Sequence, residues 1–263
     1  MEKNETARKR LQRGRVKGAL ILAFTLILAV NARSQKNADF ELSAVNGVGI
    51  GGLNRRIDRA IWGGSFYGGW RLRGTPFMLG ARLEMTNYGS EHNVDLAGFS
   101  DLVPAGVKYN YNLLLTHLVL RYQPRMSSLT PYLEASVGLS YYFTQVYSGG
   151  VTTVPFIVGD TVMTIAGSGS ETLMSSLAPS FGLGGGLKVR LARIGREGQS
   201  GRSPFSVFLN LQGRYSYSGT ARYLEPGSLA LEGGRLIKEP QRSSANTFFF
   251  SLGLSVGGNF QSR

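Results

Sequence analysis

Residues 131–143 read Pro-Tyr-Leu-Glu-Ala-Ser-Val-Gly-Leu-Ser-Tyr-Tyr-Phe. Leu133, Ala135, Val137, Leu139, Tyr141 and Phe143 hold one parity; Tyr132, Glu134, Ser136, Gly138 and Ser140 hold the other. Successive side chains of a strand point to opposite faces, so the stretch is a β-strand with one apolar face. The second face is small, polar and, at Glu134, charged. A helix would scatter the same residues around its circumference.

The same period of two recurs on both sides of this stretch. Near 39–51, Phe40, Leu42, Ala44, Val48 and Ile50 alternate with Glu41, Ser43, Gly47 and Gly49. Near 59–72, Trp62, Gly64, Phe66, Gly68, Trp70 and Leu72 alternate with Gly63, Ser65, Tyr67, Gly69 and Arg71. Near 76–88, Phe77, Leu79, Ala81, Leu83 and Met85 oppose Gly80, Arg82, Glu84 and Thr86. Near 108–122, Leu114, Leu118, Leu120 and Tyr122 oppose His117 and Arg121, while Leu113 and Leu115 fall out of phase. A bulge near Thr116 is expected there. Near 177–191, Leu177, Phe181, Leu183, Leu187, Val189 and Leu191 oppose Ser180, Gly182, Gly184, Gly186, Lys188 and Arg190. Near 205–217, Phe205, Val207, Leu209, Leu211, Tyr215 and Tyr217 oppose Ser206, Asn210, Gln212, Arg214 and Ser216. Near 247–260, Phe248, Phe250, Leu252, Leu254, Val256 and Phe260 oppose Thr247, Ser251, Gly253, Ser255 and Asn259.

Eight such strands predict an all-β protein, and three features say which faces turn outward. The polar parity is rich in Gly and Ser, which suits a narrow lumen. None of the apolar-parity positions is charged, as a lipid-facing surface demands. Aromatic residues of the apolar parity gather near the strand ends. Trp70, Phe77, Tyr122, Phe205 and Phe260 fall at the lower end. Trp62, Tyr141, Phe143, Tyr215, Tyr217, Phe248 and Phe250 fall toward the upper one. Two aromatic girdles mark the interfaces of a membrane barrel. The expected fold is therefore a closed antiparallel transmembrane β-barrel of about eight strands, an up-and-down meander. Lipid supplies no hydrogen-bond partners, so the sheet must close on itself. A soluble lipocalin-like barrel is the rival, with the apolar parity turned inward.

The connections alternate in length. Residues 73–75, 123–130 and 192–204 join the lower ends; 52–58, 89–107, 144–176 and 218–246 join the upper ends. Short turns on one side and longer loops on the other are usual for outer-membrane barrels. Residues 151–166 are themselves strand-like, so a ten-stranded count and a loop folded into the lumen both remain open.

The first 34 residues read as an address. Arg8, Lys9, Arg10, Arg13, Arg15 and Lys17 precede the 12-residue apolar run Ala19–Val30. Small residues follow, with cleavage expected after Ala32 or Ser34. This is the layout of a cleaved secretory signal peptide at 1–34, leaving 35–263 as the barrel. The formal net charge of +13 includes +6 from this segment, and the remainder is scattered, so no nucleic-acid face is read from it. The absence of Cys excludes disulfides and thiolate metal sites.

Three short stretches carry a family resemblance: Gly47-Val48-Gly49-Ile50-Gly51-Gly52-Leu53-Asn54, Thr75-Pro76-Phe77 and Thr130-Pro131-Tyr132-Leu133. With the strand pattern, they resemble the small outer-membrane barrels of OmpA/OmpX type, and most closely the PorT-like barrels of Bacteroidetes. The resemblance implies a Gram-negative cell outer membrane, surrounding lipid, insertion by the barrel-assembly machinery, and other envelope or secretion proteins as partners. Members typically end in an aromatic residue; here Gln261-Ser262-Arg263 follow Phe260.

The candidate functional residues are a lumen polar network of Glu41, Arg71, Arg82, Glu84, His117, Arg121, Glu134, Lys188, Arg190 and Arg214. Charges in a low-dielectric interior must pair. A rigid, salt-bridged lumen is the plain reading, and a solute path is the alternative, motivated by six basic residues against three acidic. No catalytic residue, cofactor or metal site is expected. His117 has no Ser-containing motif beside it, His92 lies in an outer loop, and Glu91, Asp95 and Asp101 form only a solvated acidic loop. Gly182–Gly186 lacks the Lys-Ser/Thr of a phosphate loop. The expected role is a non-enzymatic structural or binding barrel with long outer loops. The alternatives are a pore or secretion component and, third, a lipid-acting barrel enzyme.

Overall fold

The structure is a computed structural model that describes residues 38–50, 60–92, 107–124, 127–148, 154–158, 161–165, 170–194, 205–232, 235–238 and 240–258. The expected signal peptide, Asp95, Asp101, Phe260 and the terminal tripeptide lie outside these residues, as does the side chain of His92.

Fourteen strands are described: β1 (Ala38–Ile50), β2 (Ile61–Arg71), β3 (Phe77–His92), β4 (Val107–Tyr122), β5 (Leu129–Ser148), β6 (Val154–Val158), β7 (Thr161–Ile165), β8 (Ser170–Ile194), β9 (Phe205–Ser218), β10 (Thr220–Tyr223), β11 (Leu229–Glu232), β12 (Arg235–Lys238), β13 (Gln241–Ser244) and β14 (Asn246–Gly258). Eight of them close a barrel in the order β1-β2-β3-β4-β5-β8-β9-β14, and every neighbouring pair is antiparallel. The barrel therefore has eight strands and not ten. Its first and last strands pair along their whole length, so the start of β1 and the end of β14 share one end, called here the lower end.

The register sets the barrel's dimensions. Partners followed from Ala38 through Trp70, Leu79, Leu120, Ala135, Leu183, Tyr215 and Phe248 return to β1 at Val48, ten residues further on. Eight strands with that stagger, at ~3.3 Å per residue and ~4.8 Å between strands, tilt by about 40° on a backbone radius of about 8 Å. Side chains from opposite walls meet across such a lumen.

Alternation decides what goes inside. Exposed outward positions include Leu42 (69%), Leu183 (67%), Leu133 (66%) and Trp62 (63%), while Asp39, Arg121 and Lys188 are fully buried. The apolar parity faces out and the charged parity faces in, which overturns the lipocalin-like arrangement. Phe77 and Tyr122 pack edge-to-face at the lower rim, with ring centroids 5.5 Å apart. Toward the upper rim Tyr141 stacks on Phe143, and Phe248 meets Phe250. Trp70 departs from the expected girdle: it holds the outward parity but is buried.

Two expectations about strand geometry change. There is no bulge near Thr116, because pairing runs unbroken from Met85↔Leu114 to Phe77↔Tyr122. Leu113 and Leu115 instead point inward and fill the upper lumen. The bulge in this pair lies higher, between Asn87 and Gly89 on β3. The connection around 144–176 is mostly strand: β5 and β8 extend upward as a hairpin paired up to Tyr147↔Ser170. Beyond them β6 and β7 join β11 and β12 in a separate four-stranded sheet.

Candidate functional site

The lower half of the lumen holds a network built from six strands. Arg82 of β3 makes a two-pronged ion pair with Glu134 of β5, its Nη2 donating to Oε2 at 3.0 Å. Arg121 of β4 donates to the same oxygen through Nε (3.2 Å) and Nη2 (3.0 Å). Arg121 also reaches Glu41 (3.4 Å) and Asp39 (3.5 Å) on β1. Lys188 of β8 pairs closely with Asp39 and lies 3.9 Å from Glu41. Arg214 of β9 pairs with Glu84 of β3. All eight charged side chains are nearly or fully buried.

The Arg121 guanidinium is held between two rings, 4.0 Å from the centroid of Tyr67 and 4.1 Å from that of Tyr132. The electron-rich ring faces replace part of the water the cation gives up. Tyr132 also donates to Asn210 Oδ1 at 3.0 Å, which ties β5 to β9 across the lumen. Inward glycines leave room for this filling. A Cβ on Gly186 would lie 2.4 Å from the Tyr132 hydroxyl and 2.5 Å from the Leu211 carbonyl oxygen. On Gly138 it would lie 1.9 Å from the Thr116 carbonyl oxygen. Gly182, Gly184 and Gly186 are therefore an inner wall over which side chains of the two neighbouring strands, Tyr132 of β5 and Arg214 of β9, lie.

The structure separates the ten sequence candidates. Glu41, Arg82, Glu84, Arg121, Glu134, Lys188 and Arg214 join the network. Arg71 sits at the lower rim and donates to the carbonyl oxygens of Gln123 (2.8 Å) and Pro124 (3.1 Å). Arg190 lies half-buried near the same rim, 5.9 Å over the Phe208 ring. Asp39 joins the network although the sequence reading did not name it; it continues the parity of Glu41 two residues earlier. With Asp39 counted and the two rim arginines set apart, four acids face four bases. Over the whole inward parity the bases still outnumber the acids, six to four, with the two extra cations at the lower mouth.

His117 also has a neighbour that local sequence concealed. Its Nε2 lies 3.0 Å from Ser180 Oγ on β8, and that Ser touches Ser216 at 3.4 Å. The other ring nitrogen, Nδ1, has no protein partner among the described residues. Among the described residues no carboxylate is hydrogen-bonded to the ring, and the pair faces the lumen and not lipid.

Above the network the lumen turns apolar and aromatic. Val45, Tyr88, Leu113, Leu115, Tyr142 and Phe249 pack with Ala221, Tyr223, Leu224 and Ala245. The last four belong to a cap. Pairing between β9 and β14 runs to Ser216↔Thr247 and resumes as β10 and β13 at Thr220↔Ser244. The hairpin thus continues past the barrel and bends at Gly219 and Ala245. Gly219 N donates to the Pro179 carbonyl oxygen at 2.8 Å, and Arg222 N donates to Ser176 Oγ at 3.1 Å. Tyr88 donates to the Leu224 carbonyl oxygen at 3.2 Å, and Tyr142 packs on Tyr223 with centroids 5.6 Å apart. These contacts close the upper mouth with the chain's own residues. Beyond the Asn87–Asn112 pair, Tyr111 donates to the Glu91 carboxylate at 2.9 Å.

No family model matches the chain, and no curated protein matches it. Among solved structures it is similar to Neisserial surface protein A, at 13% identity over 86% of this chain and 98% of that one, with a TM-score of 0.42. It is similar to the attachment invasion locus protein Ail of Yersinia pestis, in complex with the heparin analogue sucrose octasulfate, at 9% identity over 85% and 99%, with a TM-score of 0.45. It is also similar to the N-terminal β-barrel domain of Pseudomonas aeruginosa OprF, at 17% identity over 86% and 98%, with a TM-score of 0.27.

Proposed function

We propose that the chain is an integral, non-enzymatic barrel of a bacterial outer membrane. In this reading it is closed to solutes and carries the β structure of its upper connections as a binding surface. The observation that carries the reading is the inversion of the ordinary globular pattern: an uncharged apolar girdle outside and paired charges inside. In water that girdle would expose far more contiguous apolar surface than the few hundred Å² a soluble monomer tolerates. Lipid removes the cost.

A scaffold fits better than a pore because the lumen is filled twice. The network of four acids and four bases blocks its lower half, and the cap with its aromatic neighbours fills the upper half. Within the network itself each cation is matched by an acid, which supports a filled lumen over a solute path. The PorT-like secretion role rests on sequence resemblance alone and is the weaker reading. A lipid-acting enzyme has less support still, since such chemistry needs an oriented base beside lipid, and the His117–Ser180 pair has neither. Purified, refolded protein in planar bilayers tests the proposal. It predicts no steady current; a stable ohmic conductance would replace the scaffold with a pore.

A further inference from the structure

The upper cap carries two cations that the protein itself does not balance. β10 and β13 set Arg222 directly opposite Arg242, and both side chains are exposed. Directly opposed residues of an antiparallel ladder hold their Cβ atoms only ~5 Å apart, and like charges at such positions repel. Among the described residues no carboxylate pairs with either guanidinium. The pair therefore works against the hairpin unless an anion lies between the two side chains.

The bend of the hairpin creates this face. Thr220 lies four residues past Ser216, but its partner Ser244 lies only three before Thr247. The extra residue, beside Gly219, is a bulge, and it reverses the parity of one strand. Ser216 and Ser218 are buried in the lumen, whereas Thr220 and Arg222 are exposed. Ala221 and Tyr223 turn inward and pack on the lumen cluster, which holds the hairpin from below. The Arg222 N–H is tied to Ser176 Oγ, so the backbone that carries the guanidinium is fixed from β8 as well.

The adjacent pair of the ladder, Thr220 and Ser244, adds two hydroxyls to the same face. Neither hydroxyl makes a hydrogen bond to protein among the described residues. Two planar guanidiniums match the oxygens of a phosphate in forked, charge-assisted hydrogen bonds, and they stay charged at every physiological pH. The hydroxyls supply further donors. The outward rings of Tyr217 and Phe248 stand at the foot of the hairpin, which sets the face at or above the headgroups on the membrane-barrel reading.

We propose that Thr220, Arg222, Arg242 and Ser244 form a phosphate site on the outer face of the cap, one that takes a phosphate monoester. The proposal gives a chemistry to the upper binding surface and rests on that reading. The ester reaches this face either as a lipid headgroup of the adjacent leaflet or from solution. The test uses the full chain refolded in maltoside micelles, which contain no phosphorus, at ~10 mM ionic strength, where screening is weak. Inorganic phosphate, glycerol phosphate and short-chain phosphatidic acid are titrated in turn and followed by phosphorus NMR. Saturable line broadening is expected, and Arg242→Gln should weaken binding about tenfold. Arg73→Gln removes an equal charge from the exposed turn between β2 and β3 and should leave binding within about twofold.

A loss in Arg242→Gln seen with phosphatidic acid and with neither soluble probe supports the site and identifies a lipid headgroup as its source. The same loss with all three probes supports the site and shows that a soluble phosphate is sufficient. Absence of saturable binding by all three overturns the site, and so does an equal loss in Arg73→Gln. If Arg242→Gln does not refold, the wild-type chain supplies the test. Phosphate should slow phenylglyoxal modification of Arg222 and Arg242 and leave Arg73 unchanged, and unchanged rates at all three arginines refute the site. Gel mobility with and without boiling reports the barrel separately, so a heat-modifiable barrel that binds no phosphate refutes the site and leaves the membrane reading standing.

Discussion

Replacing Glu134 with Gln would test the lumen network at its centre. The substitution keeps the shape of the side chain and removes its charge. Glu134 accepts two hydrogen bonds from Arg82 and two from Arg121, all in a buried setting. Its loss leaves three acids against four bases in a lumen only about 8 Å in backbone radius. Breaking a buried ion pair from one side costs about 3–5 kcal/mol, because the remaining cation stays desolvated without its partner. Arg121 retains Glu41 and the two tyrosine rings, so the lower part of that range is expected. The assay is denaturant unfolding of the lipid-embedded barrel, followed by its gel shift and tryptophan emission. The double variant Glu134→Gln/Arg82→Gln, which restores equal numbers, should recover at least half of the loss. A single variant within about 1 kcal/mol of wild type, or a double variant whose loss is the plain sum of the two singles, would refute the account of a coupled network.

Three further outcomes follow from the geometry. Leu118→Arg places a charge on the outward face of β4 and should cost about 2–4 kcal/mol in bilayers; a neutral effect on unfolding would mean that this face meets water. Gly186→Val drives side-chain atoms into the Tyr132 hydroxyl and the Leu211 carbonyl, so refolded yield should fall sharply, whereas Gly74→Val, at a turn glycine with open space around it but φ of 74°, should cost only the strain of that backbone. Tyr223→Ala removes the ring packed against Tyr88 and Tyr142, loosening the cap by about 3 kcal/mol or more. Bilayers should remain non-conducting all the same because the lower network still fills the lumen, and a new steady current would contradict that.

The faces of the strands were legible in sequence because the period of two survives wherever one side meets an apolar phase. Glu41, Arg82 and Glu134 were assigned to the inner parity from that pattern alone. What the pattern lacks is the stagger between strands. A ten-residue shear brings Tyr67 of β2 and Tyr132 of β5 to either side of Arg121 on β4, and no local motif encodes that meeting. Ser180 is hidden from His117 for the same reason, 63 residues away along the chain. Leu113 and Leu115 looked like a register fault because the lumen was expected to be polar throughout; they mark the level where it becomes apolar. The cap was the least legible part. Residues 219–245 lack a sustained alternation, and the bend at Gly219 depends on its packing onto Pro179 of the adjoining β8, forty residues earlier in sequence.

Gel mobility of the protein recovered from the outer-membrane fraction, with and without boiling, tests the central claim most directly. A closed barrel that spans the membrane keeps its ring of inter-strand hydrogen bonds in cold dodecyl sulfate. It should therefore fractionate with the outer membrane and run at a different position once heat opens it. A protein found in the soluble fraction, with one mobility before and after boiling, would contradict the account.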